Sequence, residues 1–397
     1  MIHLEKLEQA RLLVAASDLD VWLTFVRETT ALCDPVLPLI CDFGMTWQSA
    51  FIVAKSGMTF AVVGNYDADA IRQLGGWNQV VPYVHSIKDR LLAVLELTIP
   101  ASVTQPRIGI NTSESDDKAD GITLGMFHLL TSILEGTRFE GCLVSAADIV
   151  IPLRSQKTES ELDAIEDAIQ VTEGIFEWMA STFVQVGMTE LQIYRGIQTV
   201  IDERGYSYGW ERAGNPIVNC GPDSQAGHGL PSSQIALAHG HILHVDLGIA
   251  TRNYSSDIQR CWYVGSDVPA DVQQAMAAVV GAIDAAAAVL RPGVQGWMVD
   301  AAAREAITSA GYPEYMHAVG HQVGRFAHDG GTLLGPRWER YGDAPDSIVQ
   351  PREVYTLELG VELSGAGVVS IEEMVVVTTN GCEFLTERQT EMWLLRR

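Results

Sequence analysis

Two pairs of acidic residues set inside apolar strand-like runs constrain this chain more than any other feature. The first lies in HVDLGIATRNYSSDIQRCWYVG, with Asp246 and Asp257 on either side of a polar Thr251-Arg252-Asn253 segment. The second lies in VYTLELGVELSGAGVVSIEEMVVVT, with Glu358 and Glu372 on either side of Ser364-Gly365-Ala366-Gly367. In an antiparallel hairpin, opposed residues have a constant index sum and point to the same face. A turn at 251/252 therefore places Asp246 opposite Asp257, and a turn centred on Gly365 places Glu358 opposite Glu372. Each pair would sit about 5 Å apart at Cβ. A one-residue bulge would break either register. Like charges so placed are destabilising unless something positive lies between them. A solvated acidic face accounts for one such pair. Two in one domain call for a counter-charge.

Histidines supply the next clue. Seven of the ten fall between positions 228 and 328: His228, His239, His241, His244, His317, His321 and His328. Three of them sit in MHAVGHQVGRFAHDGG, at spacings that would share a helical face. Gly320 and Gly324 argue instead for irregular backbone passing close to a site. His3, His85, His128 and His239 read as ordinary satisfied imidazoles. His241 and His244 flank the strand of Asp246. His244 has the same parity as Asp246 and could support a ligand residue, but the ordinary reading is preferred for it too. Four carboxylates and an imidazole form a mixed oxygen and nitrogen set that suits Mn, Zn, Co or Fe(II), not a thiolate-type structural zinc. Two divalent ions would balance four carboxylates and leave room for a bridging hydroxide, so two metals are expected.

The remainder of the chain is read around that centre. Its 397 residues exceed a single small module. Residues 1–153 alternate helix and strand: Leu4–Ser17, Leu91–Leu97 and Ile122–Leu134 are helical by period, and Val21–Thr24, Phe51–Val53, Thr59–Val63 and Arg107–Ile110 are β-rich. Ile151–Glu159 is polar and aperiodic, which places a boundary near residue 155. Residues 155–397 combine helices at Ser160–Gln185, Glu190–Glu203, Val268–Leu290 and Met298–Ala310 with strands at Ile242–Ile249, Tyr254–Val264, Glu353–Leu363 and Val368–Thr378. Strand pairs joined by short links indicate an antiparallel, hairpin-built α+β domain. Thr158 and Ser160 are candidate caps for the first of these helices.

Charge and cysteine usage exclude several classes. A net charge of −24 repels phosphate backbones and anionic head groups, so neither nucleic acid nor a membrane surface is an expected partner. The apolar Ala275–Leu290 stretch is too short and mild to span a bilayer. Six cysteines form no CxxC pair, and the N-terminus lacks a basic start followed by an apolar block; reduced thiols in a cytoplasmic protein are expected.

Taken together, these residues resemble the pita-bread metallopeptidases of family M24: methionine aminopeptidase, aminopeptidase P and prolidase. Asp246-Leu247-Gly248 and Ser256-Asp257-Ile258-Gln259-Arg260 match the family's Asp-x-Gly and Ser-Asp-x-x-Arg elements. Gly320-His321-Gln322-Val323-Gly324 matches Gly-His-x-x-Gly, with His328 seven residues on. Thr356-Leu357-Glu358 and Ile371-Glu372 complete the set. The likeness covers about residues 155–397, and residues 1–153 look like the smaller α/β creatinase-type domain of prolidase and aminopeptidase P. The implied fold is thus α+β, a pita-bread (creatinase/aminopeptidase) C-terminal domain behind a creatinase-like N-terminal one.

Carried over position by position, the resemblance implies that Asp246 chelates one metal, Asp257 and Glu372 bridge both, and His321 and Glu358 hold the other. A bridging hydroxide would attack a scissile carbonyl polarised by a metal and His328. Glu358 would relay the proton to the leaving amine, and His228 and His317 would orient the substrate. A small peptide with proline in second position is the implied substrate, manganese the leading metal with cobalt, zinc or iron as alternatives, and a homodimer the implied assembly. The departures touch no ligand. Leu359 replaces the usual proline, Ser370 stands where arginine is frequent, Glu362 where tyrosine is frequent, and Asp329 follows His328 where glutamate is commoner. They leave open a non-peptide amide or C–N hydrolase of the creatinase or ectoine hydrolase kind.

Overall fold

The computed structural model describes residues 1–225, 227 and 229–396. Contacts divide the chain into Met1–Arg154 and Ser155–Arg397. The first unit is a mixed six-stranded sheet. Its strands are β1 (Val21–Val26), β2 (Ser49–Ala54), β3 (Thr59–Gly64), β4 (Gln79–Tyr83), β5 (Ile108–Ile110) and β6 (Leu143–Ser145), in the order β4-β3-β2-β1-β5-β6. β1, β2 and β3 form an antiparallel meander, and β4, β5 and β6 join it in parallel. β1–β3 are buried along their whole length, as strands covered on both faces must be. One apolar cluster built on Trp22, Phe51 and Leu7 lies on one face, and a second built on Phe25, Phe60 and Leu91 on the other.

The second unit contains β7 (Ser207–Tyr208), β8 (Ile217–Cys220), β9 (Ile242–Leu247), β10 (Ile249–Thr251), β11 (Tyr254–Ser255), β12 (Ile258–Val264), β13 (Val354–Leu363), β14 (Gly367–Val377), β15 (Cys382–Phe384) and β16 (Trp393–Leu395). The main sheet runs β13-β14-β12-β9-β8, antiparallel throughout, with β15 on β14 and β16 beside β12. This is the hairpin-built α+β arrangement expected from the sequence. Helices Glu159–Trp178 and Glu190–Arg204 both begin with capping boxes, Thr158 with Glu161 and Thr189 with Gln192. Leu357, Leu359 and Val361 of β13 and Val369, Ile371 and Val375 of β14 pack against helices Ala270–Val289 and Gly296–Ser309. That leaves the even-numbered face of the hairpin for the acids.

Four expectations are corrected. Ile151–Ser155 is not aperiodic linker but the end of a helix, Ala147–Ser155, with Pro152 inside it. The two central strands are not continuous: Gly248 separates β9 from β10, and Ser256-Asp257 separates β11 from β12. The Ala275–Leu290 stretch belongs to helix Ala270–Val289, capped by Leu290, which is long and apolar enough to cross a membrane by length and composition; its Val272, Met276, Val279 and Ile283 are buried in the core. The fourth correction concerns the first acidic hairpin. Its turn is Arg252-Asn253, both with positive φ (49° and 63°), and Thr251 pairs with Tyr254. Two successive left-handed residues make the primed turn that matches strand twist. The centre therefore lies one residue later than expected, and Asp246 opposes Gln259 instead of Asp257. A shift of two in the partner preserves parity, so Asp257 stays on the same face as a diagonal neighbour.

Candidate metal centre

Strand register assembles the site. Glu358 pairs with Glu372, as expected for a turn centred on Gly365 (φ 87°). Glu372 pairs with Gln259, and Gln259 with Asp246. Four side chains from β13, β14, β12 and β9 therefore stand in one row across one face, in the order Glu358, Glu372, Gln259, Asp246. Asp257 projects beside this row from the break before β12.

The fifth candidate arrives from outside the sheet edge. Val319–Gln322 runs along β13: Glu358 N–H donates to Val319 O (2.7 Å), Thr356 N–H to His321 O (2.9 Å), and Gln322 bridges to Tyr355. This irregular strand, not a helix, carries His321 to the acids, which is what the flanking glycines suggested. A Cβ on Gly320 would lie 2.0 Å from the Thr356 carbonyl oxygen, so no other residue allows the approach. Gly320→Ala is expected to cost about 1–3 kcal/mol, the range for overpacking that forces backbone shifts, and to lower activity. A thermal unfolding curve superimposable on that of the parent chain would contradict the close approach.

His321 Nε2 lies 3.5 Å from Glu358 Oε1, 3.8 Å from Asp257 Oδ2 and 3.9 Å from Glu372 Oε1. Two donors on one ion, each at about 2.1 Å, are separated by roughly 3–3.5 Å; the Glu358 spacing meets that window, and Asp257 and Glu372 need to close by about 0.3–0.4 Å. Asp257, His321 and Glu372 offer ligand atoms within 4.8 Å of one another. Asp246 Oδ1 and Glu372 Oε2 are buried without a hydrogen-bond partner, a costly state that an ion would relieve. The residues present thus fit a divalent metal centre.

Electrostatics point the same way. Burial, then the Glu358 charge, raises Asp246 well above the ordinary carboxylate range. Burial raises Asp257 well above it too, reinforced by Asp246 and Glu358. Glu372 is raised by burial and by Asp257, Glu358 and Asp246. Glu358 alone is lowered: burial works against its charge, but the hydrogen bond from His321 and the charges of His321, His317 and His328 outweigh it. One carboxylate is thus held ionised among three that resist ionisation until a cation joins them.

His328 stands edge-on to His321, with ring centroids 4.3 Å apart. His317 packs on Tyr315 and lies 2.7 Å by Nδ1 from Ala318 O. His228 lies outside the described residues. The reverse face of the sheet supplies rigidity. Arg260 donates to the backbone carbonyls of Gln259 (2.9 Å) and Glu372 (2.8 Å) and pairs with buried Glu373 (2.9 Å).

Sequence reasoning passed over Gln259 and underrated His244. Gln259 donates from Nε2 to Glu358 Oε2 at 2.8 Å, and its Oε1 accepts from Ser370 Oγ at 2.7 Å. His244 Nε2 faces the same Oε1 at 3.0 Å, and its Nδ1 lies 2.9 Å from Asn219 Oδ1. Burial pulls His244 down to about 4, against the Gln259 hydrogen bond and the Glu358 charge. The available signal was spacing: Gln259 has the parity of Asp257, two residues away.

Comparison with known proteins adds to this geometry. The model for metallopeptidase family M24 matches residues 163–379. The Xaa-Pro dipeptidase of Pyrococcus furiosus is 28% identical over 247 residues, covering 62% of this chain and 67% of that protein. An uncharacterized peptidase of Bacillus subtilis, YqhT, is 29% identical over 257 residues, covering 64% and 68%. Among solved structures, the X-Pro aminopeptidase of Thermotoga maritima superposes with a TM-score of 0.72 at 23% identity, over 98% of this chain and 99% of that one. The dipeptidase PepE of Mycobacterium ulcerans gives 0.74 at 23% identity, over 100% and 98%.

Proposed function

Because this chain belongs to metallopeptidase family M24 and has its pita-bread fold, we propose that it hydrolyses the N-terminal peptide bond of Xaa-Pro dipeptides or longer Xaa-Pro peptides. The observation that carries this reading is the convergence of three carboxylates, Asp257, Glu358 and Glu372, on His321, with Asp246 in the same strand row and buried carboxylate oxygens left over. Relatives named Xaa-Pro dipeptidase favour the peptide over a non-peptide amide.

Asp246 would hold one metal, His321 and Glu358 the other, and Asp257 and Glu372 would bridge them. Bound there, two divalent cations supply Lewis-acid polarisation of the scissile carbonyl and acidify water at neutral pH. Glu358, kept ionised by the neighbouring histidines, takes the proton of the attacking water and delivers it to the leaving amine. His328, edge-on to His321, donates to the developing oxyanion. His317 and His228 would orient the substrate.

Manganese is the metal we propose first, with cobalt, zinc or iron as alternatives. We further propose that the enzyme is a cytoplasmic homodimer, on family likeness and cysteine usage, and that it has no nucleic-acid or membrane partner, which the −24 net charge supports. We also assign the creatinase-like role to residues 1–153 and the catalytic role to residues 155–397.

The test is a panel of Xaa-Pro dipeptides, Xaa-Pro tripeptides and small cyclic amides, assayed with metal-stripped protein reloaded with Mn, Co or Zn. Metal-dependent release of proline from the dipeptides, abolished by chelator, is the expected result. Turnover confined to the cyclic amides would replace the proposed substrate, and protein that neither binds metal nor turns over any substrate would overturn the proposal.

A further inference from the structure

Gln259 is an amide in a row that otherwise consists of carboxylates, and it is 8% exposed. Its two ends are chemically different, and the surroundings decide which way it turns. The front end faces Glu358 Oε2, which can only accept, so Nε2–H must point there (2.8 Å). The rear end, Oε1, takes the Ser370 hydroxyl at 2.7 Å. His244 Nε2 lies 3.0 Å from the same oxygen and Nδ1 2.9 Å from Asn219 Oδ1; a neutral imidazole carries one N–H, and with that proton on Nε2 it gives Oε1 a second donor. Glycine at 360, directly opposite Ser370 in the β13–β14 ladder, makes room for that hydroxyl. A Cβ at 360 would lie 2.9 Å from Ser370 Oγ.

We propose that Gln259 is a positioning residue for this centre: held from behind by Ser370 and His244, it clamps Oε2 of Glu358 and so leaves Oε1 as the atom presented to His321. The inference rests on the metallohydrolase reading of the site. A carboxylate fixed by one oxygen has one oxygen left for the metal or for a proton, which defines both its ligation and its relay. Groups that orient ligands in this way typically account for 10–100-fold in affinity or activity.

The test uses full-length protein stripped of metal. Calorimetric titration with Mn²⁺ alone is the primary readout, and kcat and KM on the fastest Xaa-Pro peptide the secondary one. Gln259→Leu removes the clamp, Ser370→Ala removes one support, and Ser370→Thr keeps the hydroxyl. Gln259→Leu is expected to weaken Mn²⁺ binding or lower kcat by roughly 10–100-fold, with KM changed less. Ser370→Ala should move the same parameters by a smaller factor, and Ser370→Thr should restore them. Should Gln259→Leu fail to fold, the Ser370→Ala and Ser370→Thr pair decides. Parent-like Mn²⁺ affinity and kcat in Gln259→Leu, or in Ser370→Ala where that pair decides, would overturn the proposal. A parent chain that binds Mn²⁺ but cleaves no Xaa-Pro peptide would sink the substrate assignment alone, because the titration still reports on the clamp.

Discussion

Asp257→Asn is expected to lose hydrolytic activity by more than a hundredfold and to bind less metal. A hundredfold is the upper end for groups that merely orient a ligand, and Asp257 sits among the ligand atoms themselves. Asparagine preserves the size of the side chain, removes its charge and replaces one acceptor oxygen with an NH2 donor. The substitution therefore separates charge from packing. In the metal-free state the same change should stabilise the chain, because it removes one of several buried like charges that raise one another's pKa. Two measurements decide this: metal content by elemental analysis, and thermal unfolding with and without chelator. Full turnover at full metal content in Asp257→Asn would contradict the bridging role.

Metal removal is the second large effect. A metal present at about a thousand times its dissociation constant stabilises the native state by about 4 kcal/mol, and a chelator should remove that amount. The metal-free chain should also respond to pH with a definite sign. Burial first, and then the neighbouring charges, hold Asp246, Asp257 and Glu372 well above the ordinary carboxylate range in the folded chain. A raised acid binds its proton more tightly when folded. Its contribution is fully present below the unfolded value and is lost as pH rises through the folded one. Stability of the metal-free chain should thus fall from pH 5 toward pH 8. With metal bound, ionisation is what ligation requires, so this fall should be absent or reversed. Denaturant midpoints across that range, with and without chelator, give the slopes. A metal-free chain that gains stability between pH 5 and pH 8 would contradict the assignment of these three carboxylates to one shared, desolvated cluster.

The second hairpin was fully legible because its turn is symmetric about Gly365, a residue whose φ of 87° other side chains avoid. The first was legible to parity but not to register. Thr251, Arg252 and Asn253 are all plausible turn residues, and the two that adopt the left-handed conformation emerge only from the folded chain. Gln259 was hidden for a different reason. An amide in a strand has no chemistry of its own, and its role exists only once β14 and β9 flank it. β4 escaped notice because Pro82 lacks a ladder donor, yet β4 forms an edge of its sheet, where that loss is tolerated. Helix Ala147–Ser155 was lost to the same residue type, through Pro152. The order of the candidate ligands along the chain was plain in the sequence, whereas the irregular strand that carries His321 beside β13 depends on backbone contacts no pattern encodes.

Arg260 and Glu373 lie one residue from Gln259 and Glu372, and alternation sends them through to the opposite side of the same two strands. The sheet thus has a permanent positive charge, built into the polypeptide, on one side and exchangeable ones on the other. Emptying the exchangeable side does not unfasten β12 from β14, since the guanidinium still grips the carbonyls of both. Such a scaffold would keep its two central strands joined whether or not a cation sits among the carboxylates on the other side.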